Sequence, residues 1–138
     1  MAQKVHAVGV IFEDDLGRIL LLYRKAGKPE GETWGLPAGK IEPGEDIGST
    51  AVREVKEEIG YAINPRYLRF VKSYHWDRDD LDVFFEVFKF SVGSSEVEIR
   101  LNKGESTEYK WALPKDWYQQ SDLMLGIYPI LEDVYKLS

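Results

Sequence analysis

Three carboxylates in the stretch "AVREVKEEIG", residues 51–60, are of a type and spacing that could do chemistry. The stretch has helical periodicity, with Ala51, Val55 and Ile59 recurring every four residues. At about 100° per residue, Glu54, Glu57 and Glu58 fall within an arc of roughly 100°. Like charges three and four apart on a helix repel by about a few tenths of a kcal/mol per pair, and an ordinary exposed helix would alternate Glu with Lys. Arg53 is four residues from Glu57, but one guanidinium cannot neutralise these three carboxylates together with Glu42 and Glu45 of the preceding loop. A hard divalent cation can. Oxygen-only ligands without a nearby His or Cys point to Mg²⁺, with Mn²⁺ as a substitute, over Zn²⁺. Two other readings stay open: a solvated acidic face, and a structural Ca²⁺ site, for which the Asp-rich twelve-residue loop is missing.

The surrounding elements must position that face. "HAVGVIFED" and "GRILLLYRK" read as two strands joined by a turn at "DDLG". "AGKPEGET" and "WGLPAGKIEPGED" are Gly/Pro loops, and the second is too rich in both to form a long regular element. Asp46 is placed to cap the helix that follows, and Gly60 to end it in a left-handed turn. "YLRFVKSYHW" and "DVFFEVFKFSV" are strands, and "VEIRL" and "EYKWAL" are shorter strand candidates. "PKDW" opens a helical turn. "GIYPILEDVYKL" is a closing helix with Ile127, Ile130, Leu131, Val134 and Leu137 on one apolar face, its Pro129 tolerable in the first turn. A strand-rich chain with one helix after the early strands and another at the end implies a sheet packed between helices.

Composition narrows the functional classes. The chain has 138 residues, 43% of them apolar, which suits a single domain over 1–138 with a packed core. It has no cysteine, so a disulfide framework and thiolate metal sites are excluded. The longest apolar runs are strand-length, and "MAQKVHAV" has no signal-peptide core, so a cytoplasmic protein without a membrane partner is expected. The formal net charge is −6 and no basic cluster is evident, which argues against a nucleic-acid partner. "YRKAGK", residues 23–28, is the nearest approach to one. An acidic protein of this kind can still bind a phosphate compound if a divalent cation mediates.

Residues 39–61, "GKIEPGEDIGSTAVREVKEEIGY", resemble the Nudix hydrolase signature. Gly39, Glu45, Arg53, Glu54, Val55, Glu57, Glu58 and Gly60 match at the right spacing. Tyr61 departs from the usual aliphatic residue, at a packing position. "WGLP" just before the box adds to the likeness. The resemblance implies the Nudix α/β/α sandwich, an α/β fold with a mixed sheet between helices. It implies Glu54 and Glu58 as direct metal ligands, Glu57 as a further ligand or the base that activates water, and the Ala38 carbonyl as the completion of the shell. Arg53 and Glu45 resemble the pair that ties helix to loop, and Gly39 and Gly44 would allow the loop's turns. The implied substrate is a small molecule, a nucleoside diphosphate linked to another group. Oligomeric state is not legible, and a homodimer is compatible with all of this.

The box grips a diphosphate and is silent on the rest of the substrate. "VEIRLNKGESTEYKW" resembles a stretch of animal-type diadenosine tetraphosphate hydrolases, with Glu105, Tyr109 and Trp111 matching and Ser106 in place of a His. That likeness implies Glu105 as an outlying catalytic carboxylate. Glu108 is its rival, and an exposed loop charge is the plain alternative for both. Strand alternation puts Glu108 and Lys110 on one face, and Tyr109 and Trp111 on the other. Phe85 lies where those enzymes stack a Tyr on adenine, although core packing would also explain it. Arg24, Lys40, Phe85 and Tyr74 are the candidate substrate-binding residues, with His75 and Trp76 beside Tyr74. His75 is no metal candidate on its own. The favoured activity is a pyrophosphohydrolase acting on a nucleotide or dinucleoside polyphosphate. The alternatives are a nucleoside or pteridine triphosphate pyrophosphohydrolase and, from another class, a non-catalytic nucleotide sensor.

Overall fold

The two apolar runs near the N-terminus build the centre of the sheet, because alternate side chains are buried on both of its faces. The computed structural model describes residues 3–138; Met1 and Ala2, part of the expected domain and of the segment read as lacking a signal peptide, lie outside the described residues. β1 (Gln3–Glu13) and β2 (Ile19–Arg24) are joined at "DDLG", where Asp14 accepts the Leu16 and Arg18 amides and Gly17 takes a φ of 77°. Val8, Val10 and Phe12 of β1 join Leu20 and Leu22 of β2 in one core layer. Ile11, Ile19 and Leu21 join the other. With both faces covered, neither strand has a polar side to show in the sequence.

The remaining strands add to β1 and β2. β6 (Leu81–Ser91) runs parallel to β1 in unbroken register from Gln3↔Leu81 to Glu13↔Ser91, and β5 (Arg69–Arg78) pairs antiparallel with β6. On its other side β1 holds two partners at different heights: β2 through Glu13↔Ile19, and the short β4 (Ala38–Lys40) through Ala7, Val8 and Gly9. β2 also pairs with β3 (Trp34–Gly35) and β7 (Ser106–Ala112), completing a mixed seven-stranded sheet. The divergence of β2 and β4 along β1 opens the space in which the site lies.

Helices cover both faces, as a sandwich requires. α1 (Ile47–Ile59) buries Thr50, Ala51, Val55 and Ile59 against one layer. α2 (Pro114–Tyr118) and α3 (Ile127–Tyr135) cover the other, burying Trp117, Ile127, Ile130 and Leu131. The Trp117 indole Nε1 donates to the Ile19 carbonyl at 3.1 Å, which satisfies its one polar atom in the core. Pro129 is the third residue of α3, in the first turn, where no intrahelical donor is lost. Among the described residues no helix is long and apolar enough to cross a membrane.

Two stretches differ from their sequence reading. "WGLPAGKIEPGED", read as a loop, contributes the short β3 and β4 to the sheet. "VEIRL", residues 97–101, is not a strand. The Arg100 amide donates to the Ile59 carbonyl and the Asn102 amide to the Glu58 carbonyl, both at 2.9 Å. The segment thus spends its backbone donors on the last carbonyls of α1, which have no partner within their own helix. Val97, Ile99 and Leu101 still alternate onto the α1 layer, and that alternation is what resembled a strand.

Ile59 locks the C-terminal turn of α1 to this core and is fully buried. Ile59→Ala is expected to lower stability by about 2–5 kcal/mol. Urea unfolding should show a lower midpoint with an unchanged slope.

Candidate functional site

The acidic helix is held at both ends and along one side. Asp46 accepts the Ser49 amide at 2.8 Å as the N-cap, and Gly60 adopts a φ of 72° while donating to the Lys56 carbonyl at 3.0 Å. Gly44, with a φ of 84°, turns the chain just ahead of the cap. Arg53 reaches back over that loop. Its Nε and Nη2 grip the two oxygens of Glu45 at 2.6 and 2.9 Å, and Nη2 also donates to the Lys40 carbonyl at 3.0 Å. Its Nη1 serves Glu54 at 2.7 Å and Glu57 at 3.2 Å. Glu45 accepts further from the Glu42 amide and the Thr50 hydroxyl, each at 2.9 Å. The Arg53 fork, with help from these donors, holds the Glu45 carboxyl down at about 2.

Glu54 and Glu58 point from α1 toward β4. Glu54 lies over Gly39, where an added Cβ would fall 2.0 Å from the Glu54 Cδ. Gly39 is therefore needed for space. The expectation that it allows a turn is corrected, since it is a strand residue without a positive φ. Glu58 Oε1 accepts the Ala38 amide at 3.0 Å. Burial pushes the Glu58 carboxyl up to about 8 against the pull of that amide, with Glu54 and Glu105 adding to the rise. Burial also raises Glu54, against Arg53. Glu57 is half-exposed at the edge.

Beside Glu58 two adjoining cavities run along the sheet. The deeper one is lined by Glu58, Ala38, Arg24, Ser106 and Ile127. The wider one, about 420 Å³, extends over Val5, Ala7, Leu81 and Val83 and includes Lys40 and Arg78. Arg24, Glu30, Ala38, Trp76, Phe85 and Met124 line both. Phe85 lies across Gly9, where a Cβ would come 2.4 Å from its Cζ, and its ring meets that of Trp76 edge-on with centroids 5.8 Å apart. Ala38, Glu58, Arg24, Lys40 and Phe85 are thus gathered at one groove. Tyr74 is not. Its hydroxyl donates to Asp133 of α3 at 2.7 Å and its ring packs in the α3 layer. Trp76, two residues on and on the same face, has passed beyond the end of α3 and takes the place expected of Tyr74.

The outlying glutamates lie apart, Glu105 just before β7 and Glu108 within it. The Glu105 carboxylate lies near Lys28 at 3.4 Å and Arg24 at 4.0 Å, close enough to raise Glu58. Glu108 faces Tyr23 across the β2–β7 pairing. Sequence reasoning passed over Glu30, Arg78 and Met124. The two-residue period from Trp76 identifies Arg78, but Glu30 and Met124 reach the groove only through the tertiary fold, which leaves no local signal.

The donor set suits a hard divalent cation: oxygen atoms only, two of the carboxylates largely buried, and space beside them. In the present arrangement Glu54 and Glu57 share the Arg53 Nη1 donor while Glu58 is held apart by the Ala38 amide. Among the described residues the trio with ligand atoms within 4.8 Å of one another is His75, Asp77 and Asp82, on the outer face of the β5–β6 hairpin. There His75 already pairs with Asp82, so the trio is satisfied without an ion.

The Arg53–Glu45 fork makes a pH prediction. Glu45 is depressed in the folded protein from its ordinary 4.5 to about 2, so its contribution is fully present above 4.5 and is lost as pH falls toward 2. Unfolding midpoints measured from pH 6 down to pH 2 should fall more steeply in the parent than in Glu45→Gln, with the two curves converging at the acid end.

A family model described as NUDIX domain matches residues 3–134. The chain is 34% identical over 93 residues to a nucleoside triphosphate pyrophosphatase/Nudix hydrolase fusion protein of Bifidobacterium longum, a match covering 67% of this chain and 19% of that protein. It is 26% identical to an RNA pyrophosphohydrolase of Dinoroseobacter shibae, over 94% of this chain and 85% of the relative. Among solved structures, a MutT Nudix hydrolase from Burkholderia pseudomallei superposes with a TM-score of 0.82 at 26% identity, over 96% of this chain and 98% of that one. An Ap4A hydrolase of C. elegans gives a TM-score of 0.69 at 23% identity, over 96% of both chains. The chain spans about a fifth of the fusion protein and most of the RNA pyrophosphohydrolase. With a family match across nearly its whole length, this chain belongs to the Nudix hydrolase family.

Proposed function

We propose that residues 1–138 act as one domain that hydrolyses the diphosphate of a nucleoside diphosphate linked to a second group, with a nucleotide or dinucleoside polyphosphate as the favoured substrate. The observation that carries this reading is the buried Glu58 beside Ala38 and Arg24 at the inner end of a groove walled by Trp76 and Phe85. Charged side chains flank an apolar, aromatic stretch of that groove, which matches a diphosphate joined to a base. The names of the relatives, both pyrophosphate-cleaving, support the same reaction.

Glu54, Glu58 and Glu57, with the Ala38 carbonyl, would hold Mg²⁺ or Mn²⁺. Once bound, the cation would neutralise charge on the diphosphate and acidify the attacking water. Arg24 and Lys40 attract the phosphates. Arg53 fixes Glu54 and Glu57 in orientation while leaving their outer oxygens free. Glu105, near Arg24, would take the proton as water attacks phosphorus. The anhydride P–O bond then breaks and the remaining phosphate departs.

A panel of nucleotide-linked diphosphates, read as released phosphate after phosphatase coupling, tests the proposal. Turnover should require Mg²⁺ or Mn²⁺ and stop with chelator; full activity in excess EDTA would refute it. Glu58→Gln should lower kcat by at least ~100-fold with a smaller change in KM and no loss of fold.

The loop glutamates give a sharper comparison. Glu105→Gln should cost ~10- to 1000-fold in kcat and Glu108→Gln less than ~5-fold, both at saturating Mg²⁺. The reverse ranking would move the base to β7.

A further inference from the structure

Glu58 and Glu105 lie far apart in the chain, yet a single residue joins their backbones. The Asn102 amide donates to the Glu58 carbonyl at 2.9 Å, and the Asn102 carbonyl accepts the Glu105 and Ser106 amides at 2.9 and 3.0 Å. The Asn102 side chain closes the turn between them, its Oδ1 accepting the Gly104 amide at 3.1 Å. Asparagine is suited to this, because its side chain reaches the backbone two residues on in an Asx turn. Just before the turn, Val97, Ile99 and Leu101 pack on the α1 layer, so it starts from a fixed point. Just after it, the Glu105 carbonyl accepts the Lys25 amide at 2.9 Å, and Ser106 enters the lining of the deeper cavity beside Glu58. Asn102 is itself exposed, so its worth lies in these bonds rather than in packing.

We propose that Asn102 is a positioning residue for Glu105, setting where that carboxylate stands relative to Glu58; this rests on the pyrophosphohydrolase reading, with Glu105 as the base. In that reading Glu58 belongs to the set that would hold the cation and Glu105 takes the proton from the attacking water. Their separation therefore has to be fixed before substrate arrives, and a misplacement of about 1 Å can cost about 100-fold in rate. A glutamate on a free loop would be spread over many positions. The two parts of Asn102 remove that freedom in different ways. Its amide and carbonyl tie the turn to the end of α1, which any residue with an N–H could do. Its side chain sets the shape of the turn, which needs an acceptor on a short stem. Alanine has no such acceptor and aspartate keeps it.

The test uses the full chain with Mg²⁺ and the best substrate of the diphosphate panel. Asn102→Ala should lower kcat by ~5- to 50-fold with KM within ~2-fold of the parent. Asn102→Asp should recover kcat to within ~3-fold of the parent. In a Glu105→Gln background, Asn102→Ala should change kcat by less than ~2-fold, because the two losses are one loss. Lys103→Ala, an exposed change in the same turn, should leave kcat unaltered. A second readout needs no turnover: in the metal-free chain, exchange of the Gly104 and Glu105 amides should speed up by ~10-fold in Asn102→Ala and stay near the parent rate in Asn102→Asp. Parent-like kcat or exchange in Asn102→Ala, a loss carried by KM, a loss that Asn102→Asp does not recover, or losses that multiply with Glu105→Gln would each overturn the assignment. Those results leave the pyrophosphohydrolase reading standing, since the parent chain still turns over. A parent chain that hydrolyses nothing in the panel would sink that reading, and this assignment with it.

Discussion

Everything at this site depends on the problem of placing three glutamates along one side of a short helix. Arg53 is the protein's own answer. Its five donors sit in a rigid fork, and here they bind the loop through Glu45 and the Lys40 carbonyl while restraining Glu54 and Glu57. A lysine would present one point charge and could not hold both sides. The fork therefore does two things: it ties loop to helix, and it keeps like charges at fixed separations. Glu58 lies outside its reach, and burial pushes this carboxyl up while it rests on one backbone amide. The cost of that arrangement is borne by the packing beneath, where Ala51, Val55 and Ile59 are sealed against the sheet.

The sheet converts this local charge into a groove. β1 carries β6 along its full length on one side, and its two short partners diverge on the other. α3 covers the middle of the far face and stops at Gly126, where the Trp76 ring lies so close that a Cβ would come within 2.6 Å. Beyond that point Val5, Ala7 and Val83 have no helix over them and become a floor. Glycines at positions 9, 35, 39 and 126 work in the same way: each leaves out a side chain so that a neighbour, respectively Phe85, Met124, Glu54 or Trp76, can lie against the backbone. The groove is thus shaped as much by absent Cβ atoms as by the residues that line it.

Residues 46–60 alone determined the most. The helix, its cap at Asp46, its left-handed end at Gly60 and the face on which the carboxylates lie all follow from periods and propensities that act within a few residues. The strand at "ILLLY" and the apolar face of the last helix were legible for the same reason. Local rules also misled where a tertiary demand overrode them. "VEIRL" alternates like a strand, but the carbonyls at the end of α1 claim its amides. Gly39 reads as a turn residue, but it serves Glu54 from fifteen residues' distance in the fold's own geometry rather than through φ.

Only the tertiary structure decided which side chains share the groove. Tyr74 and Trp76 are equivalent in sequence terms, two aromatics on one face of one strand; the end of α3 falls between them, so one packs and the other lines the cavity. Glu30 of the β2–β3 connection and Arg78 at the end of β5 are distant in sequence and meet because the β5–β6 hairpin and that connection close over the same space. Such contacts depend on where whole elements end relative to one another. That is set by the summed packing of the core, which no window of the sequence contains, whereas the acidic helix needs only its own thirteen residues to declare itself.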